Sequence, residues 1–426
     1  MNIPETNSRR IVIAGGGFGG LQLAKKLKNT GFQIVLIDQH NYHTFQPLLY
    51  QVATAGLEPD SIAYPLRKIF TKYKNVHFRL GEIGHVDTAN KRIHSSIGSL
   101  HYDVLIIATG STTNFFGMDE IERQAMSMKS IPESLDIRSL VLQNFEQALL
   151  TRDLNEREAL MNVVIVGGGP TGVELAGALA ELKRHVLPRD YAELDVRQMN
   201  IHVIEAAPRL LAAMSEQASE KSYEFLEDLG VKIWLNARVQ NYTNNVVESE
   251  GGKPIRTQTL IWAAGVKGCP IEGIPADKIS RSNRIEVDAY NRVQGLDNVY
   301  AIGDCAMMVT DDTSQGHPML AQVAMQQGDQ LAKNLLLEQK GKKMQPFTYK
   351  DRGSMATIGR NRAVVDLPRF RFQGFLAWFV WMGVHILQLV GFRNKLVVMM
   401  NWMYNYLRYA RDIRLIIRPY RRKDLN

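Results

Sequence analysis

The sequence predicts an α/β protein built from two Rossmann-type dinucleotide-binding domains followed by an amphipathic C-terminal region, and three observations carry that prediction. An apolar strand runs straight into a GxGxxG turn twice, near residues 10–20 and again near 163–172. Each turn opens a helix, and each is followed by a second apolar strand that closes with a carboxylate, Asp38 in one case and Glu205 in the other. From Arg360 to Asn426, thirteen Lys or Arg stand against three Asp or Glu, whereas the rest of the chain carries 38 basic and 40 acidic side chains. The overall charge of +8 is therefore a property of the tail, and the body is close to neutral.

A chain of 426 residues with 45% apolar side chains is expected to fold as two or three domains rather than around one core. Its start, MNIPETNSRRIVIAGGG, passes from a polar leader into a strand with no apolar segment before a cleavage site, so secretion is not expected. Cys269 and Cys305 are the two cysteines. They supply neither a disulfide framework nor the closely spaced thiols of a metal site or redox couple.

In the first unit RIVIAGGGFGG reads as a buried strand and a turn, and LQLAKKLKNTG reads as the amphipathic helix after it. Gly15, Gly17 and Gly20 satisfy the motif, with Phe18 and Gly19 completing the backbone that would face a pyrophosphate. The helix N-terminus adds free N–H groups and a positive dipole end. Asp38 ends the strand QIVLID 23 residues after Gly15, where a carboxylate accepts hydrogen bonds from a ribose diol. An isolated motif of this kind is often an ordinary glycine-rich turn; strand, helix, second strand and acid together argue for a nucleotide.

The second unit, NVVIVGGGPTGVELAGALAEL, repeats the pattern with Gly167, Gly169 and Gly172. A charged insertion then delays the strand IHVIE, so that Glu205 follows Gly167 by 38 residues instead of about 20. An enzyme with one nicotinamide cofactor needs one such loop, and a flavoprotein reduced by a nicotinamide needs two. FAD on the first loop and NADH on the second are the expected cofactors. HYDVLIIATGS, with Thr109 and Gly110, and QTLIWAAGV, with Gly265, each follow one unit as return strands beneath a cofactor. In NVYAIGDCA, Gly303 and Asp304 match the flavoprotein segment that binds the ribityl or pyrophosphate end of FAD, and Asp304 reads equally as a helix N-cap. The expected domains are an FAD domain in two parts, 1–118 and 285–345, an inserted NADH domain, 119–284, and a membrane-association region, 346–426.

The segment after Asp38, QHNYHTFQPLLYQVATAGLEP, holds no cysteine. That excludes the disulfide-reductase mechanism, and it argues against the NADH peroxidase, NADH oxidase and sulfide:quinone oxidoreductase types. Across GGGFGG, HTFQPLLYQVA, ATGS, VGGGPTGVELAG, AAGV, AIGDCA, AQVAMQQG and ATIGRNRAVVDL the chain instead resembles the bacterial type II NADH dehydrogenases, single-subunit NADH:quinone oxidoreductases. The resemblance implies that Gln322 and Gln326, four apart on one helical face, dock the quinone ring against the flavin. It also implies that Glu174 lies near the nicotinamide and flavin rings, either gripping the carboxamide or relaying protons. Without the resemblance the glutamines read as surface residues, and Glu174 as a polar residue of a helix's first turn. His40 and His43 lack a third ligand, so no metal is expected.

In the tail, QGFLAWFVWMGVHILQLVGF is too short and too interrupted to span a bilayer, because its apolar core falls below about 20 residues. Leu396, Met400, Met403 and Leu407 recur at helical spacing, Asn394, Asn401 and Arg408 mark another face, and Trp378, Trp381 and Trp402 cluster with cations. This combination predicts interfacial helices with tryptophans at the lipid boundary, and a flavin content that largely survives their removal if the tail is an appendage. The competing reading is a packing or dimerisation helix; nucleic acid is not expected as a partner. The implied activity is that of a peripheral, non-proton-pumping NADH:quinone oxidoreductase on the cytoplasmic face of the inner membrane, with ubiquinone or menaquinone as acceptor and homodimerisation left open. The alternatives are a soluble reductase of a protein electron carrier, with no use for the tail, and a redox-responsive binding module.

Overall fold

Ile11–Ala14, Ile34–Ile37 and Val104–Ile107 are continuous apolar runs, the pattern of strands covered on both faces. In the computed structural model, which describes residues 1–311, 313–408 and 413–421, they form the middle of a five-stranded parallel sheet. Its order is Val299–Ala301, Val104–Ile107, Arg10–Ala14, Gln33–Asp38, Val76–Leu80. An antiparallel sheet of Ile83–Asp87, Arg92–Ser95 and Gly98–His101 accompanies it, and Val86, Ile93 and Leu100 enter the same core as Val12, Val35 and Leu105. The helix Ala321–Gln339 crosses Phe18–Leu27 closely because small residues meet there. A Cβ on Gly328 would lie 2.7 Å from the Gly19 carbonyl oxygen, and one on Gly19 would lie 3.3 Å from the Ala324 oxygen. These elements belong to one compact unit, residues 1–44, 64–112 and 266–351.

The second unit comprises residues 45–63, 113–265 and 352–426. Its parallel sheet runs Lys232–Trp234, Ile201–Ile204, Val163–Val166, Thr259–Trp262, and the helix Pro170–His185 follows the third of these. The segment 45–63 and the C-terminal region are part of this unit. The tail begins as a three-stranded antiparallel sheet, Ser354–Thr357, Ala363–Asp366 and Arg371–Gln373, and continues as the helices Phe375–Gln388 and Phe392–Arg408.

The last helix turns its polar face inward. Asn394 donates to the Asp60 and Ala63 carbonyls at 3.0 and 2.8 Å, Asn401 to Glu58 at 2.7 Å, and Asn405 to the Gly56 carbonyl at 3.1 Å. Leu396, Met400, Met403 and Leu407 are left exposed, as are Phe375, Leu376, Phe379 and Leu387 of the preceding helix. Two expectations are corrected here. The tail is not an appendage, since its helices complete this unit. The tryptophans do not form a rim either: Trp381 is buried, and the half-buried Trp402 donates its indole N–H to Gln51 at 2.7 Å. Some of the tail's charge is also neutralised internally, by Arg414 with Asp190 at 2.6 Å and Arg418 with Asp136 at 2.5 Å.

Candidate functional site

The two glycine loops are built alike. Gly15 has φ +105° and Gly167 φ +113°, conformations that side chains rarely adopt, and a Cβ on either would strike the neighbouring strand end at Ala108 or Ala263. A Cβ on Gly20 would lie 2.0 Å from the Gly15 oxygen, and one on Gly172 would lie 1.9 Å from the Gly167 oxygen, so each helix packs onto its own turn. Gly17 and Gly169 are different. Each is the N-cap of its helix, with no side-chain cap, and a Cβ there would meet nothing within 4 Å. Both helix N-termini thus look onto open space that backbone N–H groups border, which fits a pyrophosphate in each loop.

The acids repeat the symmetry. Asp38 accepts the Gly16 N–H at 2.6 Å and the His40 N–H at 2.7 Å; Glu205 accepts the Gly168 N–H at 2.5 Å and the Ala207 N–H at 2.7 Å. The long insertion before Glu205 leaves this geometry intact. Arg209, the cation nearest in sequence, donates to the Met214 and Ala212 carbonyls at 3.0 and 2.8 Å. Gly265 lies just beyond the strand Thr259–Trp262 in the same unit as this second loop.

Around the first loop, His43 is buried with Nδ1 3.0 Å from the Gly16 oxygen and its ring edge-on to Phe18. Burial pushes its imidazole down to about 4, so it is a neutral packing group. Among the described residues no three potential ligands cluster as a metal site. Thr109 donates to the Cys269 carbonyl at 2.5 Å, and Gly110 has φ +75°. Gly303, with φ +77°, begins a short 3-10 turn at the sheet's C-terminal end, where Asp304 accepts the Ser111 hydroxyl at 2.6 Å. Its side chain does not cap that turn. Gln327, which the sequence reading passed over, is buried and accepts the Gly303 N–H at 2.7 Å; a glutamine on the inward face of the helix among Val323, Ala324 and Leu331 was its signal.

Gln322 and Gln326 lie on the helix Ala321–Gln339 of the first unit. The Gln326 amide pairs with one backbone residue through both its ends, donating to the Lys350 oxygen at 2.9 Å and accepting the Lys350 N–H at 3.0 Å. It anchors the segment after the helix.

In the second unit Gly177 lets the turn after Ser354–Thr357 press against the helix Pro170–His185, where a Cβ would come within 2.9 Å of the Gly359 nitrogen. The same helix face then meets the strand end and the turn: Glu174 accepts the Thr357 N–H at 3.3 Å, and Glu181 accepts the Arg360 N–H at 2.5 Å. Burial pushes the Glu174 carboxyl up to about 8, against the weaker opposing pull of the Thr357 N–H and of Trp381, so it holds a proton at neutral pH. The Trp381 indole N–H is buried nearby without reaching hydrogen-bond geometry. Trp381 stacks on His385 at 4.1 Å and lies 5.4 Å from Trp402. A cavity opens beneath the two tail helices, walled by Tyr50, Trp378, Trp381 and Trp402, with Gln51 and Arg360 as polar edges. Lys395 is outside it, donating to the Leu387 carbonyl at 2.7 Å.

The family model of the pyridine nucleotide-disulphide oxidoreductases matches residues 9–328, and that of the NDH2 C-terminal domain matches residues 352–412. The type II NADH:quinone oxidoreductase Ndh of Mycobacterium tuberculosis is 36% identical over 93% of this chain and 88% of its own length. Its relative NdhA from the same organism is 36% identical over 94% and 88%. The solved structure of NDH2 from Plasmodium falciparum in complex with NADH covers 96% of this chain and 100% of its own, with a TM-score of 0.88 at 23% identity, which speaks to the fold.

Proposed function

Since the chain belongs to the type II NADH:quinone oxidoreductases, within the pyridine nucleotide-disulphide oxidoreductase family, we propose that it is a peripheral, non-proton-pumping enzyme that oxidises NADH and reduces a membrane quinone. The observation that carries this reading is the duplicated loop, in which an open helix N-terminus and a doubly hydrogen-bonded carboxylate occur twice in one chain. Bound FAD supplies the two-electron carrier between nicotinamide and quinone.

This chain's residues hold and orient the reactants. The backbone of Gly17, Phe18, Gly19 and Gly20 grips the FAD pyrophosphate and Asp38 its ribose, with Thr109, Gly110, Gly303 and Asp304 along the rest of the cofactor. Gly167, Gly169 and Gly172 grip the NADH pyrophosphate, Glu205 its adenosine ribose, and Gly265 borders the nicotinamide end. Glu174, protonated at neutral pH, is poised to donate a proton to the reduced acceptor. Gln322 has the amide that offers a quinone carbonyl both a donor and an acceptor; Gln326 serves chiefly by anchoring Lys350. These assignments divide the work among the domains given above: flavin in 1–118 and 285–345, NADH in 119–284, membrane association in 346–426.

The outward apolar face of the two tail helices fits a lipid surface, and the aromatic cavity beneath them fits an isoprenoid quinone arriving from it. No helix among the described residues is long and apolar enough to cross a membrane. Attachment to the cytoplasmic leaflet, whose anionic lipids attract the tail's excess cations, completes the reading. Rapid mixing tests it: NADH bleaches the flavin, a short-chain quinone restores the colour within turnover time, and no ferredoxin or rubredoxin substitutes. Reoxidation by such a carrier protein but not by quinone would overturn it.

A further inference from the structure

In the second unit the segment Asn114–Phe115–Phe116–Gly117 sends its two phenylalanines opposite ways. Phe115 enters the core against Trp262, with ring centres 5.6 Å apart. Phe116 is 60% exposed, and its backbone has φ +55°, a left-handed conformation that L-residues, bulky ones above all, adopt at a cost. The turn is held from all sides: the Asn114 side chain accepts the Phe116 N–H at 2.9 Å, the Asn114 carbonyl accepts the Trp262 indole N–H at 2.8 Å, and Asn114 N–H donates to the Gly265 carbonyl at 3.0 Å. A network of this kind fixes a strained residue and leaves a large apolar ring in solvent, which points to function rather than packing.

The ring's position gives that function a target. A Cβ on Gly265 would lie 2.8 Å from Phe116 Cζ, so the ring covers Gly265, and glycine there is a condition of its placement. Ala263, two residues back and within ~7 Å along the chain, is the residue against which Gly167 of the second loop packs. Phe116 therefore stands at the C-terminal edge of this unit's parallel sheet, where open α/β sheets bind their ligands.

We propose that Phe116 is a positioning residue for NADH, its exposed ring forming an apolar wall that the flat nicotinamide stacks against. The proposal rests on the reading of the second loop as the NADH site. The ring is large, planar and stiff, and it loses little freedom on binding because its turn is already fixed. The ring packs on Gly265, beyond the strand end at Ala263, so its expected effect is on the nicotinamide half of the nucleotide.

The test compares Phe116→Asn, Phe116→Ala and Phe116→Tyr in the full FAD-loaded enzyme. Asparagine accepts the left-handed conformation, so that variant removes the ring while preserving the turn. Expected are a three- to tenfold rise, roughly the worth of one ring contact, in the NADH concentration that half-saturates flavin bleaching, and a slower limiting bleach. Affinity for ADP-ribose, which lacks nicotinamide, and quinone reoxidation are expected to stay at wild-type values, and Phe116→Tyr to restore bleaching. Wild-type bleaching by Phe116→Asn overturns the proposal, and so does an equal loss of ADP-ribose affinity, which marks a structural role. The loop reading fails separately, and visibly, if Gly169→Val leaves ADP-ribose binding unchanged.

Discussion

The Glu174 carboxyl accepts the backbone N–H of Thr357 at 3.3 Å across 183 residues of sequence, and this contact ties the helix Pro170–His185 of the second unit to the first strand of the tail. The carboxyl is buried, and a single backbone donor does not offset its lost hydration, so it stays neutral up to about pH 8.

A pH dependence of stability follows. Glu174 has a folded-state pKa above its unfolded value of 4.5, so between that value and about 8 the native state holds a proton that the unfolded state releases. Stability is highest below the window and falls as pH rises through it, by up to about 1.4 kcal/mol per pH unit from this group. Denaturant midpoints of wild type and Glu174→Gln should converge at low pH and separate toward pH 8, with the Gln variant the more stable. A constant gap across the range would contradict a buried proton. In the same variant, slowed reoxidation with normal bleaching identifies proton delivery to the quinone, and slowed bleaching identifies a grip on the nicotinamide.

With Glu205 read as the acid that faces the adenosine ribose, nucleotide choice should turn on it. Its carboxylate already spans the Gly168 and Ala207 N–H groups, and Arg209 is held by carbonyls, so a 2′-phosphate would meet a carboxylate while the cation nearest in sequence is already engaged. NADH should outperform NADPH in kcat/KM by tenfold or more, the scale of one charge-assisted contact. Glu205→Ala should narrow that ratio chiefly through KM for NADH. Equal efficiency of the two nucleotides with wild type would remove the argument.

The two glutamines should separate. Gln322→Ala removes the neutral amide proposed to meet the acceptor and should slow quinone reoxidation about three- to tenfold, with bleaching unchanged. Gln326→Ala breaks both bonds to Lys350 and should lower thermal stability as well. Equal melting temperatures for wild type and Gln326→Ala would show that the anchoring contact is dispensable.

Membrane binding is best probed on the outward face. Phe379, Leu387 and Met403 are each more than 60% exposed, so replacing all three by Glu touches no core. Each buried apolar side chain contributes about 1.5–3 kcal/mol to insertion, and flotation with anionic vesicles should be abolished while NADH still bleaches the flavin. Truncation after Pro368 is a different experiment, because it removes Trp381 from beside Glu174 and strips the Asn394 and Asn405 contacts; loss of soluble, flavin-loaded protein is the expected result. Undiminished yield and flavin content would mean that the tail is separable after all.

The local features were legible in the sequence because their causes are local. A turn with φ near +110° beside a strand end admits only glycine, so Gly15 and Gly167 announce themselves, and the acids of both loops need only follow an apolar strand. Amphipathic periodicity likewise marked Leu396, Met400, Met403 and Leu407 as one face. What periodicity does not contain is which face turns inward, because a stripe of asparagines reads as solvent-exposed until the Gly56, Asp60 and Ala63 carbonyls are brought beneath it from 331 to 349 residues away. The same holds for Gln326, whose amide meets Lys350 rather than open space, for the tryptophans that went into a cavity instead of a rim, and for Phe116, whose strain and exposure depend on its turn. Sequence by itself determined where the two glycine loops and their acids lie, since local backbone conformation sets those sites; tertiary structure alone decided the protonation of Glu174, since that depends on how much water the packed tail removes from it.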